Sequence, residues 1–212
     1  MKAESEKKEV LALEWLKLYN MTYYVVKYSG PFGFIKPWAA VRDGETFSQQ
    51  FLTPSIVEGI EKKLFPELLN EPGKIQKILR HRLSYEAMDM QQEQTQTRGW
   101  KDDKKSKTKI RNKSVLIRGV MLNPVLHLAF ASEADALAAA VQHVCLCRNE
   151  DVLIPYAEVL AMSEDEFNML DGYELHFEKT EQSFLVGYNR FDDAKPMFGW
   201  LEISGKPVFN MK

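Results

Sequence analysis

Between Arg98 and Arg118 the sequence sets nine basic residues, Arg98, Lys101, Lys104, Lys105, Lys107, Lys109, Arg111, Lys113 and Arg118, against Asp102 and Asp103 alone. Such a run suits phosphate oxygens. Each phosphate neutralised releases counterions, so binding is tight at low salt and weakens as salt rises. Trp100 and Tyr85 flank the run, and an aromatic face stacks an unpaired base for about 1–3 kcal/mol. Serine, threonine and asparagine between the lysines donate to phosphate oxygens or 2′-hydroxyls. With Arg80 and Arg82 just upstream, nucleic-acid binding is favoured over a solvated loop whose charges serve only solubility. Arg118 is a separate matter, because it sits inside the apolar stretch VLIRGV. An unpaired guanidinium there is costly, so it either pairs with a carboxylate or reaches from a sheet face to a phosphate.

Other chemistries have weaker support. His81, His127, His143 and His176 show no ligand spacing, and Cys145 and Cys147 have no second cysteine pair. No metal site and no cofactor are therefore expected, and two closely spaced cysteines read as a reduced, cytoplasmic protein. The sequence has no GK[ST] phosphate loop, no GxSxG and no HExxH, the marks of an NTPase, a hydrolase and a metalloprotease. Metal-free RNA cleavage remains open: a 2′-hydroxyl attacks its own phosphate while one group takes the proton and a cation holds the phosphate charge. Lys113, His81, Tyr85 and Tyr28 have the types for those roles, with Lys113 the candidate for the phosphate. Nothing in their spacing makes them converge.

The elements that must position these residues alternate in type. Residues 4–19 predict a short amphipathic helix, in an extension spanning 1–20. TYYVVKY from Thr22 predicts a strand, closed by Ser29-Gly30-Pro31. Residues 33–51 have Gly and Pro near both ends of an apolar patch and predict an irregular loop or edge strand. TPSIVEGIEKKLF predicts a helix with Thr53 as N-cap, Pro54 in the first turn, and Ile56, Val57, Ile60 and Leu64 as its buried stripe. Lys74–Tyr85 predicts a strand with a basic centre, and residues 86–114, without hydrophobic period, an exposed hairpin or loop. SVLIRGVMLNPVLHLAF predicts strand broken at Asn123-Pro124. SEADALAAAVQHVCLC predicts a second helix capped by Ser132. Short strands at YELHF, SFLVGYNRF, MFGWLEI and PVF follow, with one acidic helix near SEDEFNML.

That order fits an α+β, ferredoxin-like (RRM-like) core over residues 21–150 carrying a long basic arm at about 86–114, and a small β-rich tail over 151–212. No apolar run approaches the roughly 18 residues that span a bilayer, and the charged start MKAESEKKEV is unlike a secretory signal. The net charge of −2 conceals an asymmetry: 22 Lys and Arg against 15 Asp and Glu in residues 1–120, but 6 against 15 in residues 121–212. A polyanion-facing side and an opposite, protein-facing side would produce it.

YYVVKYSGPFGFIKP, FLTPSIVEGIEKKLF, KILRHRL, SVLIRGV and PMFGWLEISGKPVF, in that order, together resemble the fifth Cas protein of CRISPR effector complexes, nearest to the type I-C form. The most specific matches are the Thr53-Pro54-Ser55 helix with Gly59 and the strand Ile117-Arg118-Gly119-Val120; Pro196-Met197-Phe198 matches the closing segment. The resemblance covers most of residues 21–210. It implies a ferredoxin-like subunit that grips the 5′ handle of CRISPR RNA, caps the backbone filament and contacts the large subunit that reads target DNA. The basic arm would cross the RNA, with Arg118 near the handle.

Type I-C members also cut precursor RNA without metal. Here Gln49 stands where their tyrosine precedes the Thr-Pro-Ser helix, and Lys113-Ser114 replaces their lysine-histidine pair. The first expectation is therefore an RNA-binding subunit of a type I surveillance complex, using Arg80, Arg82, Trp100, Lys104, Lys105, Lys107, Lys109, Arg111, Lys113 and Arg118. The alternatives are a metal-independent endoribonuclease centred on Lys113, and a free-standing domain that binds nucleic acid or a protein.

Overall fold

The computed structural model describes residues 22–37, 44–96 and 99–209. The expected extension 1–20 with its helix, and Arg98, lie outside the described residues. β1 (Thr22–Ser29) buries side chains on both faces, as a central strand must. β9 (Val125–Phe130) and β11 (Val152–Ser163) flank it, and β4 (Ile78–Ser84) lies beyond β9, all antiparallel. Helix α1 (Pro54–Leu64) connects β1 to β4, and α2 (Glu133–Ala139) connects β9 to β11. The spatial order β11-β1-β9-β4 is the split βαβ arrangement of a ferredoxin-like domain.

Strand period 2 assigns the faces. Val26 and Tyr28 of β1, Leu126, Leu128 and Phe130 of β9 and Leu83 of β4 pack under Val57, Ile60 and Leu64 of α1 and Ala136 and Ala139 of α2. Tyr28 also donates its hydroxyl to the Ala139 carbonyl at 2.9 Å, tying β1 to α2. The opposite face carries Tyr23, Val25 and Ala129, covered by Phe167 of the short helix α3 (Glu164–Asn168).

The strand β11 has no counterpart among the predicted elements. Its sequence, VLIPYAEVLAMS, mixes apolar and polar residues without clean alternation and includes Pro155. It follows β10 (Val144–Cys145) on the sheet edge, where proline is tolerated because one side of the ladder is unpaired. The C-terminal strands β12 (Gly172–His176), β13 (Phe184–Asn189) and β14 (Lys195–Ser204) extend the same sheet from β4, in the order β4-β12-β14-β13. The strands between Val152 and Ser204 thus all belong to the main sheet.

Helix α1 starts and stops where expected. The Thr53 carbonyl accepts from Ile56 and Val57, although its hydroxyl meets Ser55 Oγ and caps no backbone N–H. Pro66 follows the last turn, where Lys62 and Lys63 face the negative helix end. Helix α2 is capped by Ser132, whose hydroxyl accepts from Asp135 N at 3.1 Å. It ends at Ala139, much earlier than predicted, because Val144 is fully buried and pairs with Leu153. Tertiary burial overrides the helical pattern there.

The described residues within 86–114 form a hairpin arm. β5 (Ala87–Gln96) pairs antiparallel with β8 (Lys113–Leu122), from Ala87 opposite Leu122 to Gln96 opposite Lys113. β2 (Phe32–Gly33) and β3 (Glu45–Phe47) join the base of β8. Gly119 is required there: a Cβ on it would lie 2.2 Å from the Phe47 ring.

One carboxylate holds the entrance to β4. Glu61 is fully buried and accepts from the backbone N–H of Gln76, Lys77 and Ile78 at 3.0, 2.6 and 2.8 Å. Glu61→Ala strands three backbone donors, the Ile78 N–H among them buried, and is expected to cost roughly 2–3 kcal/mol. Urea denaturation checks this: a destabilisation under about half a kcal/mol would show that the segment repacks without Glu61.

Candidate nucleic-acid interface

The arm carries its charges outward. Lys101, Lys104, Lys105, Lys107, Lys109, Arg111 and Lys113 are all exposed. The outer part is a second small hairpin, β6 (Lys101–Asp103) with β7 (Thr108–Ile110). Asp103 organises its turn: its carboxylate accepts from Lys105 N at 3.1 Å and Ser106 Oγ at 2.6 Å, and its carbonyl from Lys107 N at 2.9 Å. Hydrogen bonds to the carboxylate, the Ser106 hydroxyl first, hold its carboxyl below the ordinary aspartate range. Lys107 takes a left-handed φ of +54° at the turn. One of the two acids in the basic run is therefore consumed in shaping the tip.

Trp100 and Arg111 meet across this hairpin, with the guanidinium carbon 4.4 Å from the ring centroid. The ring stays 59% exposed, so one aromatic face and one cation are presented together. The sequence supplies both residues; only the strand register brings them into contact. Ser106, Thr108 and Lys109 of the same hairpin are also exposed.

The base of the arm is fixed by two arginines. Arg118 Nε contacts Glu93 Oε2 at 3.2 Å across the β5–β8 ladder, which realises the carboxylate alternative for Arg118. Arg148 binds Asp151 through Nε at 2.8 Å and Nη2 at 2.6 Å, and reaches Gln91 Oε1 at 3.3 Å. Phe34 lies beneath both guanidinia.

Arg80 and Arg82 require a correction as RNA contacts. Arg82 is fully buried and Arg80 is largely so. Alternation along β4 puts both guanidinia on the α3 face, where they meet carboxylates from β12 and β14. Arg80 holds Glu174 with Nε at 2.7 Å and Nη2 at 2.8 Å. Arg82 Nη2 lies 3.2 Å from Glu174 and 3.1 Å from Glu202. Burial alone disfavours a charged Arg80, but its bonds to Glu174 more than offset this and keep the guanidinium firmly protonated. These arginines bind carboxylates inside the sheet, and phosphates cannot reach Arg82.

Glu174, His176 and Glu202 bring three ligand atoms together, but Arg80 and Arg82 already occupy the carboxylates. His176 Nε2 adds a 2.6 Å contact to Glu202 and its ring stacks on Trp200 at 4.2 Å. Burial favours a protonated Glu202, but His176 and Arg82 outweigh it and lower its pKa.

The four candidate cleavage groups do not meet. Tyr28 and Tyr85 are buried in the core, and burial pushes both phenols well above their usual range. Tyr85 accepts from Gln50 Nε2 at 2.7 Å. His81 is buried on the helix face of β4 against Phe177. Lys113 is exposed at the outer end of β8, opposite Gln96.

Two histidines make the fold acid-sensitive. Burial lowers His81 and His127 to about 4, with nearby positive charge adding to the effect at His127. Their folded-state pKa lies below the unfolded value, so the neutral forms stabilise the fold above about pH 6.5, and this is lost as pH falls toward 4. The expected slope is about 1.4 kcal/mol per pH unit for each histidine within that window. Denaturation midpoints measured from pH 7 to 5 should fall, and a His81→Asn/His127→Asn variant should show a flat profile. Glu174→Ala leaves Arg82 buried beside one partner and should cost about 3–5 kcal/mol. A thermal midpoint within about 2 °C of wild type would contradict it.

No family model matches this sequence, and no curated protein matches it. Solved structures do share the fold. One, a chain from a "CRISPR RNA-guided surveillance complex", superposes with a TM-score of 0.52 at 13% sequence identity, covering 88% of this chain and 90% of that one. Among the described residues no helix is long and apolar enough to cross a membrane.

Proposed function

We propose that this chain is an RNA-binding subunit of a type I CRISPR surveillance complex, related to the fifth Cas protein, and that its arm holds the 5′ handle of the CRISPR RNA. The observation that carries this reading is the exposed arm, on which Trp100 and Arg111 stack and Lys104, Lys105, Lys107, Lys109 and Lys113 all stand exposed. A structured hairpin of that composition tracks a backbone with its lysines while offering one stacking platform to a base. The fold shared with a chain of a surveillance complex supports the assignment. Backbone and large subunits would be its protein partners, and target DNA an indirect one. The Arg118–Glu93 pair ties the two strands of the arm together, and Arg148, held by Asp151, reaches Gln91 at its root, so less order has to be imposed on the arm when it binds.

The test uses 5′-labelled repeat RNA and an unrelated RNA of equal length, in EDTA, with fluorescence anisotropy over a salt series. Wild type should prefer the repeat, and its affinity should fall steeply with salt. Trp100→Ala should weaken binding by about 5- to 100-fold. Changing Lys104, Lys105, Lys107 and Lys109 to Ala should reduce the log–log salt slope by about 0.7 for each phosphate that is no longer neutralised. The same reactions run on a gel report cleavage: one discrete cut that disappears in Lys113→Ala would make the chain a processing nuclease. Equal, salt-insensitive binding of both RNAs would sink the handle reading.

A further inference from the structure

A cleft lined by no residue of the arm lies between α1 and the β13–β14 hairpin, with a volume of about 900 Å³. Its walls are tied together at one end by the loop at Gly73. The Gly73 N–H donates to Glu58 of α1 at 2.7 Å, and its carbonyl accepts from Asn189 of β13 at 3.4 Å. Gly73 is held at a φ of +82°, and a Cβ there would press on Asn189 at 3.0 Å. The cleft is therefore built by both partners and is more than a surface dip.

Three features define what it would take. Lys62 and Lys195, on its walls, are neutralised by Glu58 and Asp192. Lys179 and Arg190 have no carboxylate partner among the described residues, and each lies over an aromatic ring, at 4.8 Å from Phe198 and 5.1 Å from Phe191. The Tyr188 ring also lines the cleft, is 58% exposed, and has no ring or cation partner among the described residues. Finally, Gly59 occupies the middle of α1 facing this space. Glycine weakens a helix interior, and nothing within the chain demands it here: a Cβ would meet no atom within 4 Å. The missing side chain keeps open room that the molecule itself does not fill.

We infer that this cleft binds one or two unpaired nucleotides of single-stranded RNA, with a base on Tyr188 and a phosphate held by Lys179 and Arg190. Free cations recognise the phosphate, an open aromatic face the base, and the glycine floor allows a flat ring to approach the helix. This deepens the RNA-binding reading, on which it rests for the choice of RNA, by adding a contact outside the arm.

The experiment titrates the full-length chain with a four-nucleotide oligoadenylate, followed by intrinsic fluorescence and calorimetry, at low salt. Gly59→Leu should raise Kd about tenfold or more while leaving the fold intact, shown by an unchanged or higher thermal midpoint. Lys179→Ala/Arg190→Ala should do the same, and Tyr188→Trp should restore or exceed wild-type binding where Tyr188→Ala loses it. A Lys104→Glu/Lys105→Glu/Lys107→Glu/Lys109→Glu chain should still bind the tetranucleotide, so failure of the arm reading and failure of the cleft are separable. The inference is overturned if the oligoadenylate does not bind at millimolar concentration, or binds Gly59→Leu as well as wild type. Equal binding of tetraglutamate would overturn it too, because the site would then select charge alone.

Discussion

The main sheet depends on the buried ion-pair network that joins β4 to β12 and β14. Backbone pairing across that joint is sparse, since only Tyr173 opposite Leu83 is in register between β12 and β4. The side chains supply the connection. Arg80 and Arg82 stand two apart on β4, Glu174 and His176 two apart on β12, and Glu202 lies directly opposite Glu174 on β14. Strand alternation turns all of them to the same face, where Phe167 lies against Arg80 and Arg82, while His81 turns to the other. An unpaired guanidinium at the depth of Arg82 would carry a desolvation cost of several kcal/mol. The network is therefore tolerated only when complete, and its completion requires the C-terminal strands to sit where they do.

That requirement separates two kinds of positive charge. Arg80, Arg82, Arg118 and Arg148 are paired with carboxylates within the molecule. They position elements: the first two join the halves of the sheet, the second two fix the root of the arm. The lysines of the arm, with Arg111, stand in water with no buried partner to neutralise them, where their field reaches an approaching polyanion. A rigid root and a charged tip on one hairpin follow from this division. The excess of acids after residue 121 is partly explained by it as well, because Asp151, Glu174 and Glu202 are internal counterions to basic residues rather than a separate acidic surface.

The cleft at Gly59 belongs to the same architecture. Helix α1 covers the ferredoxin-like core with Val57, Ile60 and Leu64, which leaves Ser55, Glu58 and Gly59 facing the added strands β13 and β14. Attaching the C-terminal strands to β4 thus creates a groove that the ferredoxin-like core alone would lack. The cleft is thus a consequence of how the two halves share one sheet, whereas the arm is built within the first half alone.

The sequence by itself determined the strand at Thr22, the Pro54 and Ser132 helix starts, the break at Asn123-Pro124 and the short acidic helix after Ser163. These depend on local properties: β-branched runs, fixed proline φ, and side-chain oxygens within reach of the next turn's N–H groups. It also marked the arm as basic and exposed, since that needs only composition. The tertiary structure decided the rest. The Gln- and Thr-rich segment 87–96 became a strand because β8 supplied a ladder, and a ladder needs no hydrophobic period. Val144 left the predicted helix because a buried place beside Leu153 was available. Arg80 and Arg82 passed from the surface to the interior because their partners lie 94 and 120 residues away in the chain, and no local pattern encodes a counterion at that separation.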